Sequence, residues 1–337
     1  MIAKLGILFL LLLSPITTFA ADFLADKGSL VKFQTDARIF VVSDDRGSLE
    51  WIQTEEEFKK RGLEFSTVRT LSDAELPNYT IAAPAPTEEQ QTVTPSVINK
   101  DGALVVVIDD GTVVANEGAD TVWSLASISK LMTAIVLSEM KLNWNAAVVQ
   151  TKADEVGGAR LRVAVGSKYR RVDLLHASLM GSANNSTHAL ARTSGLTMPQ
   201  FVARMNAKAK QLGMKNTHFV EPTGLSPKNV STASDIAILV QAANKIPRIS
   251  SIGKKNSYTL TSVGKKPKSH TIKTTNKLLL AGENVSLGKT GFIDESRYNF
   301  TVVGQSPAGG NRTVVVLNAP SSETSFKLAK AYLHLEK

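Results

Sequence analysis

Residues 127–140 read Ser127-Ile128-Ser129-Lys130 followed by the run LMTAIVLSEM, and this stretch sets the reading of the rest of the chain. A polar start and an apolar-periodic run predict a helix from Ser127 to Lys141. Residues three apart share one helix face, so Ser127 and Lys130 would stand side by side at its N-terminus, hydroxyl toward amine. A serine hydroxyl is a poor nucleophile until a base takes its proton. A lysine serves as that base when burial and a second nearby cation lower its pKa. The helix N-terminus also favours the negative charge that develops during attack. The same spacing recurs at Ser251 and Lys254 and at Ser262 and Lys265. Both lie in a polar, lysine-rich stretch without a helical apolar face and are read as surface coincidences.

Upstream of that helix, Ala103–Ile108 and Thr112–Ala115 read as strands. The Asp-Gly step at Asp110-Gly111 between them is a hairpin signal. Downstream, helical patterning covers residues 172–193, 198–212 and 232–243. Strands follow at Ser286–Phe292, Asn299–Val303 and Thr313–Leu317, and an amphipathic helix at Glu323–Leu335. Two strands, a helical block, three strands and a helix predict an α+β fold. It would be one antiparallel five-stranded sheet flanked by helices, with the helical block inserted and both ends of the domain contributing strands.

The first residues differ from the rest. Lys4, an apolar run from Leu5 to Leu13 and the ending Thr18-Phe19-Ala20 predict an export signal over residues 1–20. The run is shorter than the roughly 20 residues a membrane span needs. Residues 80–95, rich in Ala, Pro, Thr, Glu and Gln, read as a linker between a small module at 22–79 and a large domain at 96–337. The small module reads as mostly β, with strands at Leu30–Phe33, Ala37–Val42 and Leu49–Ile52. Thr54 stands three before Glu57, the spacing of a capping box, and opens a short helix through Arg61. No catalytic constellation is visible in it; it reads as a passive packing unit or as a binder of wall or surface partners.

There is no cysteine, which excludes disulfides, thiol catalysis and sulfur-ligated metals. Five histidines show no metal-ligand spacing, and no Gly-x-Ser-x-Gly elbow is present, so neither a cofactor nor a metal is expected. The net charge of +9 fits a partner among anionic wall polymers or membrane surfaces, or a scattered solubilising charge, and no nucleic-acid partner is expected.

Two further elements join the Ser127–Lys130 pair. Ser182-Ala183-Asn184, the chain's one Ser-x-Asn, follows the amphipathic VDLLHASLM and would turn a cleft edge at a helix end. Ser182 can relay a proton to a leaving group, and the Asn184 amide can hold a substrate carbonyl. Lys289-Thr290-Gly291, the one Lys-Thr-Gly, falls on a strand after Gly288. Lys289 and Thr290 can bind a substrate carboxylate, while glycines let a substrate backbone lie close. Lys289 would also be the cation that keeps Lys130 deprotonated. The three elements stand 55 and 107 residues apart.

On these residues the chain resembles the penicillin-binding serine D-Ala-D-Ala peptidases of low molecular weight, with their Ser-x-x-Lys, Ser-x-Asn and Lys-Thr-Gly motifs. The resemblance covers about Val107 to Leu335. The segments Glu221-Pro222-Thr223-Gly224-Leu225 and Asn229-Val230-Ser231-Thr232-Ala233 resemble most the D-alanyl-D-alanine endopeptidase branch. It implies a β-lactamase/transpeptidase-like fold, peptidoglycan stem peptides as substrate and β-lactams as covalent inhibitors. It implies Ser127 as acyl-forming nucleophile, Lys130 as base and Ser182 as proton relay. Asn184, Lys289 and Thr290 would hold substrate, and backbone N–H groups of Ser127 and Phe292 would form the oxyanion hole. The family's carboxypeptidases often carry a further C-terminal domain and an amphipathic anchor; here the chain stops soon after the last helix, so an exported enzyme of the periplasm or cell-wall space without a C-terminal membrane anchor is expected.

Asn185 stands where the family usually has Asp. Ile293, Ser296 and Arg297 replace the usual Thr, small residue and Gly after Lys-Thr-Gly-Phe. These departures bear on substrate preference more than on catalysis. Trimming of terminal D-Ala by a carboxypeptidase remains the alternative to crosslink cleavage. A β-lactamase is disfavoured by the lack of a Glu-x-x-Leu-Asn segment between Ser182 and Lys289, and a non-catalytic wall binder by the intact motifs.

Overall fold

The computed structural model describes residues 24–52, 55–81, 99 and 102–335. The expected export signal, most of the expected linker and Thr54 lie outside the described residues. Chain contacts divide the molecule into two units, Met1–Gln91 and Thr92–Lys337.

The first unit carries a five-stranded sheet in the order Arg69–Leu71, Leu30–Phe33, Asp36–Val42, Ser48–Ile52, Thr80–Ile81. Its central pairs are antiparallel and both edge strands pair in parallel. Thr80–Ile81 thus closes this sheet at the start of the segment read as a linker. Phe33, Phe40 and Leu49 fill one core, and Leu30, Ile52 and Phe58 fill a second.

In the second unit, β1 (Leu104–Asp109) and β2 (Thr112–Glu117) form the expected hairpin. Asp110 and Gly111 both adopt positive φ, 46° and 87°, as a two-residue hairpin turn requires. β3 (Val285–Ile293), β4 (Arg297–Gln305) and β5 (Asn311–Ala319) complete an antiparallel sheet in the order β3-β4-β5-β1-β2. The chain therefore builds this sheet from its two ends, as the element order predicts. The three late strands each run one or two residues longer at each end than their apolar runs alone suggest.

The helical block between β2 and β3 contains α1 (Ser129–Glu139), α2 (Arg171–Met180), α3 (Asn184–Arg192), α4 (Met198–Gln211) and α5 (Ala233–Asn244). Ser129 through Leu137 are all buried, so α1 is a central helix enclosed on every side, not a half-exposed one. The helical pattern over residues 172–193 proves to be two helices broken at Ser182. The main core joins α1, α2, α4 and α5 to one face of the sheet. The other face is covered by α6 (Ser322–Leu333) through Phe326, Leu328 and Tyr332. Ser251 also departs from expectation. It sits on a short helix, Pro247–Gly253, whose Ile249 and Ile252 are buried, yet Ser251 itself is exposed.

A buried cation ties the sheet to α6. Arg312, 1% exposed, donates to Asp109 Oδ2 at 2.6 Å and to the carbonyls of Tyr332, Leu333 and Leu335 at 3.0, 3.1 and 2.6 Å. It satisfies acceptors that the last turn of a helix leaves open. Arg312→Met should therefore cost about 3–5 kcal/mol, chiefly by breaking the buried ion pair with Asp109. Denaturant unfolding checks this, and Arg312→Met combined with Asp109→Asn should lose less than Arg312→Met alone.

Candidate active site

The chain reaches Ser127 through a strained turn. Ala126 has φ 46° although it is not glycine, and a 3-10 turn, Ala126–Ile128, leads into α1 at Ser129. Ser127 thus stands just ahead of the α-helix and Lys130 just inside it. Leu125 N–H donates to Asn229 O at 2.9 Å and Ser129 Oγ to Ala126 O at 2.9 Å, which fixes the turn from two sides. Ser127 is half-buried; Lys130 is fully buried. Its Nζ donates to Asn184 Oδ1 at 2.6 Å and to Thr223 O at 2.5 Å, which leaves the lone pair of a neutral amine for the Ser127 hydroxyl, whose Oγ lies 2.8 Å away. Burial, and then the charge of Lys289, hold the Lys130 pKa well below the usual lysine range, against a smaller opposing pull from Glu221.

Ser182 occupies the break between α2 and α3 with φ 56°, and its hydroxyl accepts from Lys289 Nζ at 2.9 Å. Lys289, 1% exposed, also donates to Thr290 O at 2.7 Å, and burial lowers its pKa to about 7. Each motif lysine therefore grips one motif serine, and the two amines feel one another. Thr290 Oγ1 lies 2.9 Å from Thr275 Oγ1. Phe292 is 49% exposed and packs on Tyr298, with ring centroids 4.5 Å apart.

Some expected contacts differ. The Asn184 amide, expected to face a substrate carbonyl, donates from Nδ2 to Gly157 O at 2.9 Å, and its oxygen holds Lys130. The glycine of Lys-Thr-Gly is needed for the nucleophile turn: a Cβ on Gly291 would lie 2.8 Å from Leu125 O and 3.2 Å from Ala126 Cβ. Gly288 similarly makes room for Asn276, whose Nδ2 would sit 2.4 Å from a Cβ there. Asn185 takes both N–H and C=O of Leu161 and donates to Glu155 at 3.0 Å. An aspartate there would face Glu155 as a like charge, which gives this chain a local reason for the amide. Arg297, at the usual glycine position, has φ 52° and is exposed. Ser296 closes the β3–β4 turn, and its carbonyl accepts from Trp123 Nε1 at 2.9 Å, so Trp123 packs at the rim.

Sequence reasoning gave no chemistry to the loop after α4, yet that loop completes the site. Glu221 accepts from the N–H groups of Thr223 and Gly224 at 2.7 and 2.6 Å, from Thr223 Oγ1 at 2.6 Å and from Asn229 Nδ2 at 3.0 Å. This curl aims Thr223 O at Lys130. Gly224, φ 81°, lies so close to the nucleophile turn that a Cβ would sit 1.8 Å from Ala126 O. A backbone carbonyl leaves no side-chain signature, so Thr223 was invisible; the adjacent Gly224 was the available hint. A polar cavity of about 670 Å³ between Lys254, Glu283 and Gly310 opens at the other end of β3 and is lined by none of the motif residues.

The site has the parts of a serine acyl-transfer centre on an α+β penicillin-binding fold: a buried amine on a serine, and a second Lys–Ser pair beside it. Residues 89–321 match the peptidase S11 family model, described as D-alanyl-D-alanine carboxypeptidase. The chain is 37% identical over 229 residues to a D-alanyl-D-alanine endopeptidase of Pseudomonas aeruginosa, covering 66% of this chain and 73% of that protein. It is 33% identical to one of Escherichia coli, covering 72% and 79%. The solved Streptomyces K15 DD-transpeptidase is similar in fold, with a TM-score of 0.66 at 26% identity over 69% of this chain and 95% of that one. The chain belongs to the peptidase S11 family of serine D,D-peptidases. Among the described residues, no helix is long and apolar enough to cross a membrane.

Two outcomes follow from the geometry. Gly224→Ala must displace the nucleophile turn, so penicillin acylation should fall by about a hundredfold or more while far-UV circular dichroism stays native. The second concerns stability. Burial lowers the Lys289 pKa to about 7 in the folded protein, against the ordinary lysine value of 10.5 in the unfolded chain. Between those values the unfolded chain binds the extra proton, so this group makes stability rise with pH from about 7 toward 10 and lowers it on the acid side. Lys289→Met should flatten that rise relative to the native protein, read from urea midpoints across the window.

Proposed function

We propose that this D,D-peptidase is an endopeptidase that hydrolyses D-alanyl crosslinks in peptidoglycan through an acyl-enzyme on Ser127. The observation that carries the reading is the hydrogen bond between the buried Lys130 amine and Ser127 Oγ, 2.8 Å. Lys130, kept neutral by burial and by Lys289, takes the Ser127 proton as Oγ attacks the D-alanyl carbonyl. The C–N bond then breaks, and the leaving amine receives a proton through Ser182, whose hydroxyl is held by Lys289. Water attacks the resulting ester, Ser127 regains its proton, and the shortened peptide leaves with a new carboxylate. Backbone N–H groups of Ser127 and Phe292 receive the oxyanion, an effect typically worth about 3–4 kcal/mol. Lys289 and Thr290 hold a substrate carboxylate. An amide has two N–H donors, so Asn184 keeps one for a substrate carbonyl while the other holds Gly157. Gly291 lets β3 lie against the nucleophile turn.

The endopeptidase reading draws on the relatives from Pseudomonas aeruginosa and Escherichia coli; the family description supports carboxypeptidase trimming as the second reading. Mass analysis of digested crosslinked muropeptides separates them. Conversion of dimers to monomers is expected, and loss of one alanine from pentapeptides alone would contradict it. We read residues 1–20 as an export signal and the protein as working in the periplasm or cell-wall space, with the 22–79 module free for a wall or surface partner.

Fluorescent penicillin should label the native protein and give a persistent adduct, and labelling should vanish in Ser127→Ala. An adduct hydrolysed within seconds would indicate a β-lactamase instead. Protonation of Lys130 removes the base, so acylation should fall on the acid side. Lys289→Gln removes the neighbouring cation and should move that acid limb to higher pH, measured at saturating penicillin. An unmoved limb would show that Lys289 does not tune Lys130.

A further inference from the structure

The chain's positive charge is unevenly placed. No acid occurs between Asp235 and Glu283, while eight lysines and Arg248 fall there, equal in number to the net charge of +9. The remainder of the chain is therefore electrically balanced. Much of the excess gathers on and beside one hairpin, Ser257–Thr261 paired antiparallel with Ser269–Lys273. Lys254, Lys255, Lys265, Lys266, Lys268 and Lys273 are all exposed. The ion pairs among the described residues of this unit engage other cations, such as Arg160, Arg170, Arg192, Lys208 and Lys330.

The hairpin is a fixed platform. Its inner face is docked: Tyr258 O–H donates to Asp173 Oδ1 at 2.6 Å and stacks on His176 at 3.6 Å, while Leu260 and Ile272 join the main core. Its outer face is a row of hydroxyls, with Thr259 and Thr271 Oγ1 atoms 2.9 Å apart and Thr261 and Ser269 hydroxyls 3.0 Å apart. The second strand runs straight to the catalytic elements. Thr275 N–H donates to Met180 O at 3.0 Å beside Ser182, and Thr275 Oγ1 meets Thr290 Oγ1 at 2.9 Å. Lysines and hydroxyls thus form one polar strip from the hairpin tip to the edge of the cleft.

We propose that this hairpin is a docking surface for the carboxylate-bearing peptidoglycan polymer, holding the insoluble substrate beside Ser127. The proposal rests on the D,D-peptidase reading, which supplies the polymer. Lysine ammoniums are mobile point charges without the fixed fork of arginine, so they suit a polymer whose carboxylates recur at variable positions better than one defined anion. Strands of five residues span roughly 17 Å, longer than one dipeptide, so the strip can engage several repeats at once. A membrane surface would call for an apolar face to insert, and the tip offers the single exposed Val263.

The test uses full-length Ser127→Ala protein, which binds without turnover, sedimented with purified sacculi and separately with phosphatidylglycerol vesicles. Changing Lys265, Lys266 and Lys268 together to Gln should weaken sacculus binding about tenfold and reduce its salt dependence, since the attraction is screened charge. The same three changes in the native Ser127 background should leave penicillin acylation within about twofold, because the tip does not touch the reacting groups. Lys210, Lys215 and Lys327 changed to Gln remove equal charge elsewhere and should leave binding unaltered. Equal loss in that control, no loss in the hairpin variant, or preference of the unaltered hairpin for vesicles over sacculi would overturn the proposal. Failure of the peptidase reading shows separately, as absent penicillin labelling of the native protein with sedimentation unaffected.

Discussion

A buried amine must find hydrogen-bond partners, and most of the second unit's architecture can be understood from where Lys130 finds its own. They are Ser127 Oγ from the turn before α1, Asn184 Oδ1 from the start of α3 and Thr223 O from the loop after α4. Three segments distant in sequence are thereby held to one point. The main core around α1 excludes water from it, and the same exclusion lowers the amine's pKa into the range where it can act as a base.

Lys289 extends that logic at a cost. A second fully buried lysine, with its pKa depressed to about 7, disfavours folding on the order of 5 kcal/mol at low pH. Its position explains why it is tolerated. It holds Ser182 in a left-handed conformation that serine rarely adopts and adds the like charge that helps to keep Lys130 neutral. Strain at Ala126 and Ser182 and desolvation at both lysines are concentrated at the reacting groups, while hydrophobic packing elsewhere offsets them.

The sheet was legible because Asp110-Gly111 and the apolar late strands declare themselves locally, and the order of elements then leaves little choice of topology. That Ser127, Ser182 and Lys289 meet at one place was legible because their motifs stand at a recognisable spacing. Ser182 was expected at a helix end, but not its positive φ, since the neighbouring Gly181 has an ordinary φ of −90°. What escaped was mainly backbone: Thr223 works through a carbonyl, and Gly224 and Gly291 work through an absent Cβ. Tertiary contact defines these roles, and no local pattern encodes it. The Asn184 side chain was assigned outward to substrate, whereas half of its hydrogen bonding is spent inward on Lys130 and Gly157.

The account stands or falls on the protonation state of Lys130. Titration of the lysine side-chain nitrogens by NMR in the native protein, with Lys130→Arg used to assign the signal, measures it directly. The account predicts a Lys130 resonance that titrates well below the ordinary lysine range. A Lys130 that stays protonated up to the ordinary lysine value of 10.5 would contradict it, because the buried amine could not then take the Ser127 proton at neutral pH.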